Sequence, residues 1–184
     1  MMLLVLGLFV FFSIHSVSML GDKRQQLIER IGLMPFKGLF SLIALLGFSL
    51  IVIGKGSAEF IEIWQPPHAF SMITKLLMLP AWILMIAAYI PSNIKRKVRH
   101  PMLLSVKLWA IGHLLINGDL ASMLLFGSFL IYGVVAMISA NRRSEWVKPE
   151  AKPMWMTFLV IIVGLAAYIA IAMFHAQLFG VSIK

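Results

Sequence analysis

The residues able to do chemistry in this chain are concentrated in one block: Arg99-His100-Pro101, then Lys107, Trp109 and His113, then Asn117-Gly118-Asp119. Histidine ligates metals and titrates near neutral pH, while lysine and arginine hold anions. The block lies in and beside a short apolar run, where ionisable groups are costly and are kept for a function. Three further histidines, His15, His68 and His175, lie outside it. Cysteine is absent. That excludes disulfides, thiolate nucleophiles, iron–sulfur clusters and thioether-linked haem, so any metal would rest mainly on His or carboxylate ligands.

The elements that must position these residues are membrane helices. Hydrophobic residues make up 61% of the chain and charged ones 12%, with a mean hydropathy of +0.95. Soluble domains are about 45–50% apolar and about 25% charged. The composition predicts an all-α fold, a polytopic membrane helical bundle of about six transmembrane helices, with residues 1–184 forming one domain. The net charge of +9 does not indicate nucleic-acid binding, because the basic residues sit in the connections between apolar runs and not on an exposed amphipathic element. No phosphate-cradling loop, dinucleotide fingerprint, H-E-x-x-H or Ser-His-acid arrangement is found.

Apolar runs cover residues 1–20, 36–54, 70–90, 102–116, 120–140 and 154–179. The first has no basic residues ahead of it and no clear cleavage site, and reads as a retained helix. The fourth extends only about 22 Å at 1.5 Å per residue, but reaches about 30 Å if residues 99–118 form one helix with polar ends. Lys23, Arg24 and Arg30 follow the first run, Lys95, Arg96, Lys97 and Arg99 the third, and Arg142, Arg143, Lys148 and Lys152 the fifth. Six strictly alternating spans then put these loops in the cytoplasm and both termini outside. Asn117-Gly118 terminates a helix and Asp119 is a good N-cap for the next, so the plain reading of these three residues is turn chemistry. Pro80 lies inside the third run and should bend it.

Sorted by depth, His15 and His100 lie at the cytoplasmic ends of their helices, whereas His113 is about 20 Å further along the fourth run, toward the outer face with His68 and His175. Ligands must come within about 2.1 Å of one metal, so His100 and His113 cannot share an iron on a continuous helix. Two candidate sites remain. The inner one pairs His15 with His100, beside Arg30, Arg96, Lys97 and Arg99, whose charges suit haem propionates. The outer one could gather His68, His113 and His175, with Asp119 on the same side. Lys107 shares a face with His100, seven residues away, and either snorkels to the interface or holds an anionic group there.

Several stretches resemble the NnrU family of small bacterial inner-membrane proteins: His15-Ser16, Arg30, Phe36-Lys37-Gly38-Leu39-Phe40-Ser41-Leu42, Pro66-Pro67, and above all RHPMLLSVKLWAIGHLLINGDLASMLLFGSF over residues 99–129. The resemblance implies a multi-pass protein of the inner (cytoplasmic) membrane associated with denitrification and nitric-oxide metabolism. That family is in turn similar to 15-cis-zeta-carotene isomerase, a membrane haem b protein. One of its ligand motifs is matched by His15-Ser16 and the other by Arg99-His100-Pro101, while the cysteine near the isomerase ligand motif has no counterpart here.

The resulting expectation is an NnrU-type protein of the lipid bilayer that binds haem b through His15 and His100, with Arg30, Arg99 and Lys107 toward the cofactor. Its ligand would be nitric oxide or a polyene. Two alternatives stand beside it: a haem-dependent cis–trans isomerase of a polyene such as a carotenoid, and a cofactor-free transporter or assembly factor with a polar path through Lys107, His113 and Asp119.

Overall fold

A computed structural model describes residues 1–181 and 183. The described residues form seven α-helices: α1 (Met2–Ser16), α2 (Asp22–Ile31), α3 (Leu33–Gly56), α4 (Ala69–Tyr89), α5 (Pro101–Ile116), α6 (Leu120–Arg143) and α7 (Met154–Phe179). Extended pairing among them is limited to one isolated bridge, between Glu62 and Asp119. The protein is a polytopic helical membrane protein. α1 with its following 3-10 turn, α3, α4, α6 and α7 are long and apolar enough to cross a bilayer. Large apolar side chains such as Phe9, Leu42, Ile131 and Ile162 are largely exposed, as suits helices whose solvent is lipid.

The fourth apolar run is shorter than a helix over residues 99–118 would be. α5 has 16 residues, about 24 Å, and leaves Arg99 and His100 ahead of it and Asn117-Gly118 behind it. Proline is favoured at the first helical position and pushes the preceding residue toward extended backbone, so Pro101 starts the helix and keeps His100 out of it. α2 is an element the apolar pattern did not announce. It is bracketed by Gly21 (φ 54°) and Gly32 (φ 87°), conformations that an L side chain resists, and these glycines let the chain turn sharply at both of its ends.

The chain divides into two compact units. The first, Met1–Gln65 with Asn117–Ser144, contains α1, α2, α3 and α6. Its core is an antiparallel contact of α1 and α3 in constant register: Leu4 meets Gly54, Gly7 meets Ile51 and Phe11 meets Gly47. A Cβ added at Gly7 would lie 2.6 Å from the Ile51 nitrogen, and one at Gly47 would lie 2.7 Å from the Phe11 nitrogen. Only glycine permits this backbone approach, the usual means by which membrane helices gain packing attraction. At the far end of α3, residues 61–64 are strapped to residues 118–120. The Gly118 carbonyl accepts from the Ile63 and Trp64 amides at 2.8 and 3.2 Å, and the Leu120 amide donates to the Ile61 carbonyl at 2.9 Å.

The second unit, Pro66–Ile116 with the chain from Glu145 onward, contains α4, α5 and α7. Two buried hydroxyls fix the antiparallel register of α4 and α5. Thr74 Oγ1 donates to the Gly112 carbonyl at 2.9 Å and Ser105 Oγ to the Ala81 carbonyl at 2.7 Å. Gly164 of α7 packs on Ile83 of α4, where an added Cβ would sit 2.7 Å from the Ile83 Cα. Asn93 clasps the segment before α7: its amide donates to the Lys152 carbonyl at 2.7 Å, and its carbonyl oxygen accepts from the Lys152 N–H at 2.9 Å. Pro80 lies inside α4, as the sequence indicates.

The glycines of α3 supply a contrast. Gly38 is open, with nothing near an added Cβ. Gly38→Ala should therefore stabilise the helix by about 0.5–1 kcal/mol, whereas Gly47→Ala should destabilise by about 1–3 kcal/mol because backbone would have to move. Thermal unfolding of both variants in detergent checks this. Equal shifts in the two would contradict the α1–α3 contact.

Candidate functional site

His15 stands in an aromatic enclosure near the end of α1. Its ring stacks on Phe11 with centroids 4.0 Å apart, meets the edge of Phe40 at 5.2 Å, and faces Tyr132 of α6 at 6.3 Å. Phe11 stands one turn before His15, so the helix itself aligns the two rings. Nδ1 of His15 lies 2.7 Å from the Phe11 carbonyl oxygen. A carbonyl only accepts, so Nδ1 carries a proton, and in the neutral ring the lone pair for a ligand or a hydrogen bond is then on Nε2. Tyr132 donates to the His15 carbonyl at 3.2 Å and Ser18 does so at 2.7 Å, while Arg143 donates to the Ser18 carbonyl. Thus α6 is tied to the turn that ends α1. Leu8, Phe9, Phe12, Ser13, Ser16 and Ser128 line an open groove of about 430 Å³ in the same unit.

At the other end of this unit Asp119 does three things. It caps α6 by accepting from the Ser122 amide at 2.9 Å, pairs with Lys55 Nζ at 2.9 Å, and bridges to Glu62. The expected N-cap is therefore present, and the carboxylate is buried in a structural junction. Burial by itself would raise its pKa, but the bonds from Ser122 and Lys55 outweigh it and hold the carboxyl below the usual range. Sequence reasoning missed Lys55, although it stands at the end of a run on the side the alternation assigns to Asp119. Arg30 is exposed on α2.

In the second unit His100 and Arg99 line one open cleft of about 430 Å³ together with Lys95, Met102, Leu103 and Trp146. Lys95 donates to the Ala88 carbonyl at 2.8 Å. The 3-10 turn Asn93–Arg96 brings a buried arginine nitrogen, Arg96 Nε, which with Ser92 Oγ has no hydrogen-bond partner among the described residues. Buried donors without partners fit an anionic group. Lys107 is half-buried further along α5. His113 is half-buried too, with Nδ1 2.8 Å from the Trp109 carbonyl oxygen and the Trp109 ring 5.1 Å from its own.

The outer gathering of His68, His113 and His175 does not form a metal site. Among the described residues no group of three His, Cys, Asp or Glu side chains could hold a metal ion. Nδ1 of His113 lies against the carbonyl of its own helix, as that of His15 does, while Nδ1 of His175 lies 2.6 Å from the Val181 carbonyl oxygen. His15 and His100 fall in the first and second units respectively.

A family model described as NnrU protein matches residues 3–183. The chain belongs to the NnrU family. In this NnrU protein the match runs through both units and includes the whole block from Arg99 to Asp119. Neither the curated proteins nor the solved structures include a match.

The Asp119 junction has a pH signature. A carboxyl whose folded pKa is depressed adds stability in full above its ordinary value near about 3.9, and loses it as pH falls through the lowered folded value. Asp119→Asn keeps a capping oxygen and removes the charge, whereas Asp119→Ala removes both and should cost about 1 kcal/mol more. The stability gap between the unsubstituted protein and Asp119→Asn should hold above the ordinary carboxyl pKa and narrow as pH falls below about 3.9. A gap independent of pH in thermal unfolding would remove the ion pair from the account.

Proposed function

We propose that this NnrU-family protein is a haem b protein of the bacterial inner membrane, acting in nitric-oxide metabolism, denitrification or redox physiology, with His15 and His100 as its ligand histidines. The observation that carries this reading is the state of His15. Its Nδ1–H is held by a backbone carbonyl and its ring by stacked aromatics, which leaves a basic Nε2 in fixed orientation. Histidine ligands in metalloproteins are prepared this way, with the far nitrogen hydrogen-bonded to set tautomer and basicity.

The donor set around His100 also fits. Arg99 and Lys95 line the same cleft as His100, and Arg96 adds an unpartnered buried nitrogen in the neighbouring turn, a combination suited to propionate carboxylates against apolar walls. Lys107 is assigned to the same anionic end. Bound haem would supply an iron centre able to take nitric oxide or to change redox state. The protein's own residues would hold the ring and fix the ligand tautomer. The basic connections after the first, third and fifth apolar runs support an orientation with both termini outside the cytoplasm.

A second reading, cis–trans isomerisation of a polyene at the same cofactor, is favoured by the groove lined by Leu8, Phe9 and Phe12 in the unit that holds His15. Co-expression with a poly-cis carotene should alter the pigment profile if this reading is right, and an unchanged profile counts against it.

Absorption spectra of protein purified after haem-replete expression test the leading proposal. A Soret band that shifts on dithionite reduction is expected, with loss of the band in His15→Ala and in His100→Ala. A colourless protein sinks the proposal. A band that survives both substitutions moves the site elsewhere.

A further inference from the structure

The helix joining α1 to α3 has the chemistry of a membrane-surface element. α2 is ten residues long, about 15 Å, and carries its residues in two opposed stripes. Lys23, Leu27, Arg30 and Ile31 share one side at helical spacing, and Asp22, Gln25 and Glu29 share the other, where Gln25 donates to Glu29 at 3.3 Å. Of the three aliphatic residues of this otherwise polar helix Ile28 is half-buried, whereas Leu27 and Ile31 are 39% and 40% exposed. Beside them Leu20, Leu33 and Met34 are 52%, 47% and 75% exposed. Arg24 is committed differently: its guanidinium sits 5.4 Å from the centre of the Phe36 ring and pins α2 to α3.

Chain connectivity says what covers this apolar edge. Both neighbours of α2 cross the membrane, and Gly32 alone separates it from α3. With so little linker the helix cannot leave the interface. The positive-φ glycines at its two ends break it from both spans, so that its axis need not follow theirs. A short apolar edge flanked by cations, with acidic and amide groups opposite, is the pattern of a helix lying in the headgroup layer.

We propose that α2 is an in-plane surface anchor: Leu27 and Ile31 enter the acyl boundary of the bilayer that α1 and α3 cross, while Lys23 and Arg30 bind the phosphates of anionic lipid headgroups. Long basic side chains at the margin of such an edge extend to the headgroups while their stems cover apolar surface. The assignment does not depend on haem and stands on the membrane fold alone.

The chain has no cysteine, so single-cysteine variants can be labelled without altering any other residue. Full-length Leu27→Cys, Ile31→Cys and Gln25→Cys variants, each carrying a spin label, are reconstituted into phosphatidylcholine vesicles containing phosphatidylglycerol. Labels at 27 and 31 should be accessible to oxygen and shielded from a water-soluble nickel chelate, and the label at 25 should show the reverse. Equal chelate access at all three positions would overturn the anchor. Shielding of 27 and 31 from both reagents would assign the edge to a protein contact and overturn it equally.

Charge recognition is read separately, from a fluorophore at Leu27→Cys quenched by spin-labelled lipids. Phosphatidylglycerol should quench more than phosphatidylcholine at equal mole fraction. Lys23→Gln with Arg30→Gln should lower that preference about fivefold for each charge removed. Equal quenching by the two lipids in the unsubstituted background would overturn the headgroup assignment.

Discussion

Backbone approach between α1 and α3 is the constraint on which the first unit depends. In lipid there is no hydrophobic drive to push two apolar helices together, because the surrounding tails are as apolar as the helices. What remains is dense packing, and it is available only where side chains are missing. Gly7, Gly47 and Gly54 provide those places in a fixed register. Once that register is set, α1 can present its histidine in only one place: against Phe40, within the reach of Tyr132. The chemistry ascribed to His15 thus depends on glycines spread along the α1–α3 contact, from Gly47, which packs on Phe11 one turn away, to Gly54, which packs on Leu4 at the far end of α1.

The second unit solves the same problem with hydroxyl groups. Thr74 and Ser105 each spend their donor on a carbonyl of the facing helix, so neither leaves a polar group in a medium that cannot solvate it. These bonds lie at different depths along the α4–α5 contact and resist both sliding and rotation. α7 joins through Gly164 and through the Asn93 clasp at its leading end. The basic turn that leads to His100 is held between these two fixtures. A cleft carrying Lys95, Arg99 and His100 can keep its shape there even though it is open.

Charged residues sort into two kinds in this protein. Lys55 and Asp119 answer each other and the cap of α6, and their chemistry ends in architecture. The basic residues of α2 and of the turn before α5 are those proposed above to meet anionic groups of lipid or ligand. That division separates the two ends of the polar block spanning residues 99–119: its end is committed to folding, and its beginning lines the cleft of the proposed haem site.

Much of this was legible in the chain alone. Hydrophobic runs of sufficient length report membrane helices directly, because a bilayer imposes a length and forbids unsatisfied backbone. Pro101, Asn117-Gly118 and Asp119 mark boundaries by local stereochemistry, and the stretch over residues 99–129, with shorter pieces such as His15-Ser16, was enough to suggest the family. α2 was not legible, since ten residues with few aliphatics resemble any basic connection until flanking glycines are seen at positive φ. Nor were the partners of the polar residues: Lys55 for Asp119, Phe11 and Tyr132 for His15, Asn93 for Lys152. The sequence by itself determined which segments lie in lipid and where helices start and stop, because those depend on neighbours in the chain. Tertiary structure decided which lysine answers the capping carboxylate, which rings of other helices enclose His15, and which glycines face another backbone, because each depends on residues brought near by the packing of helices.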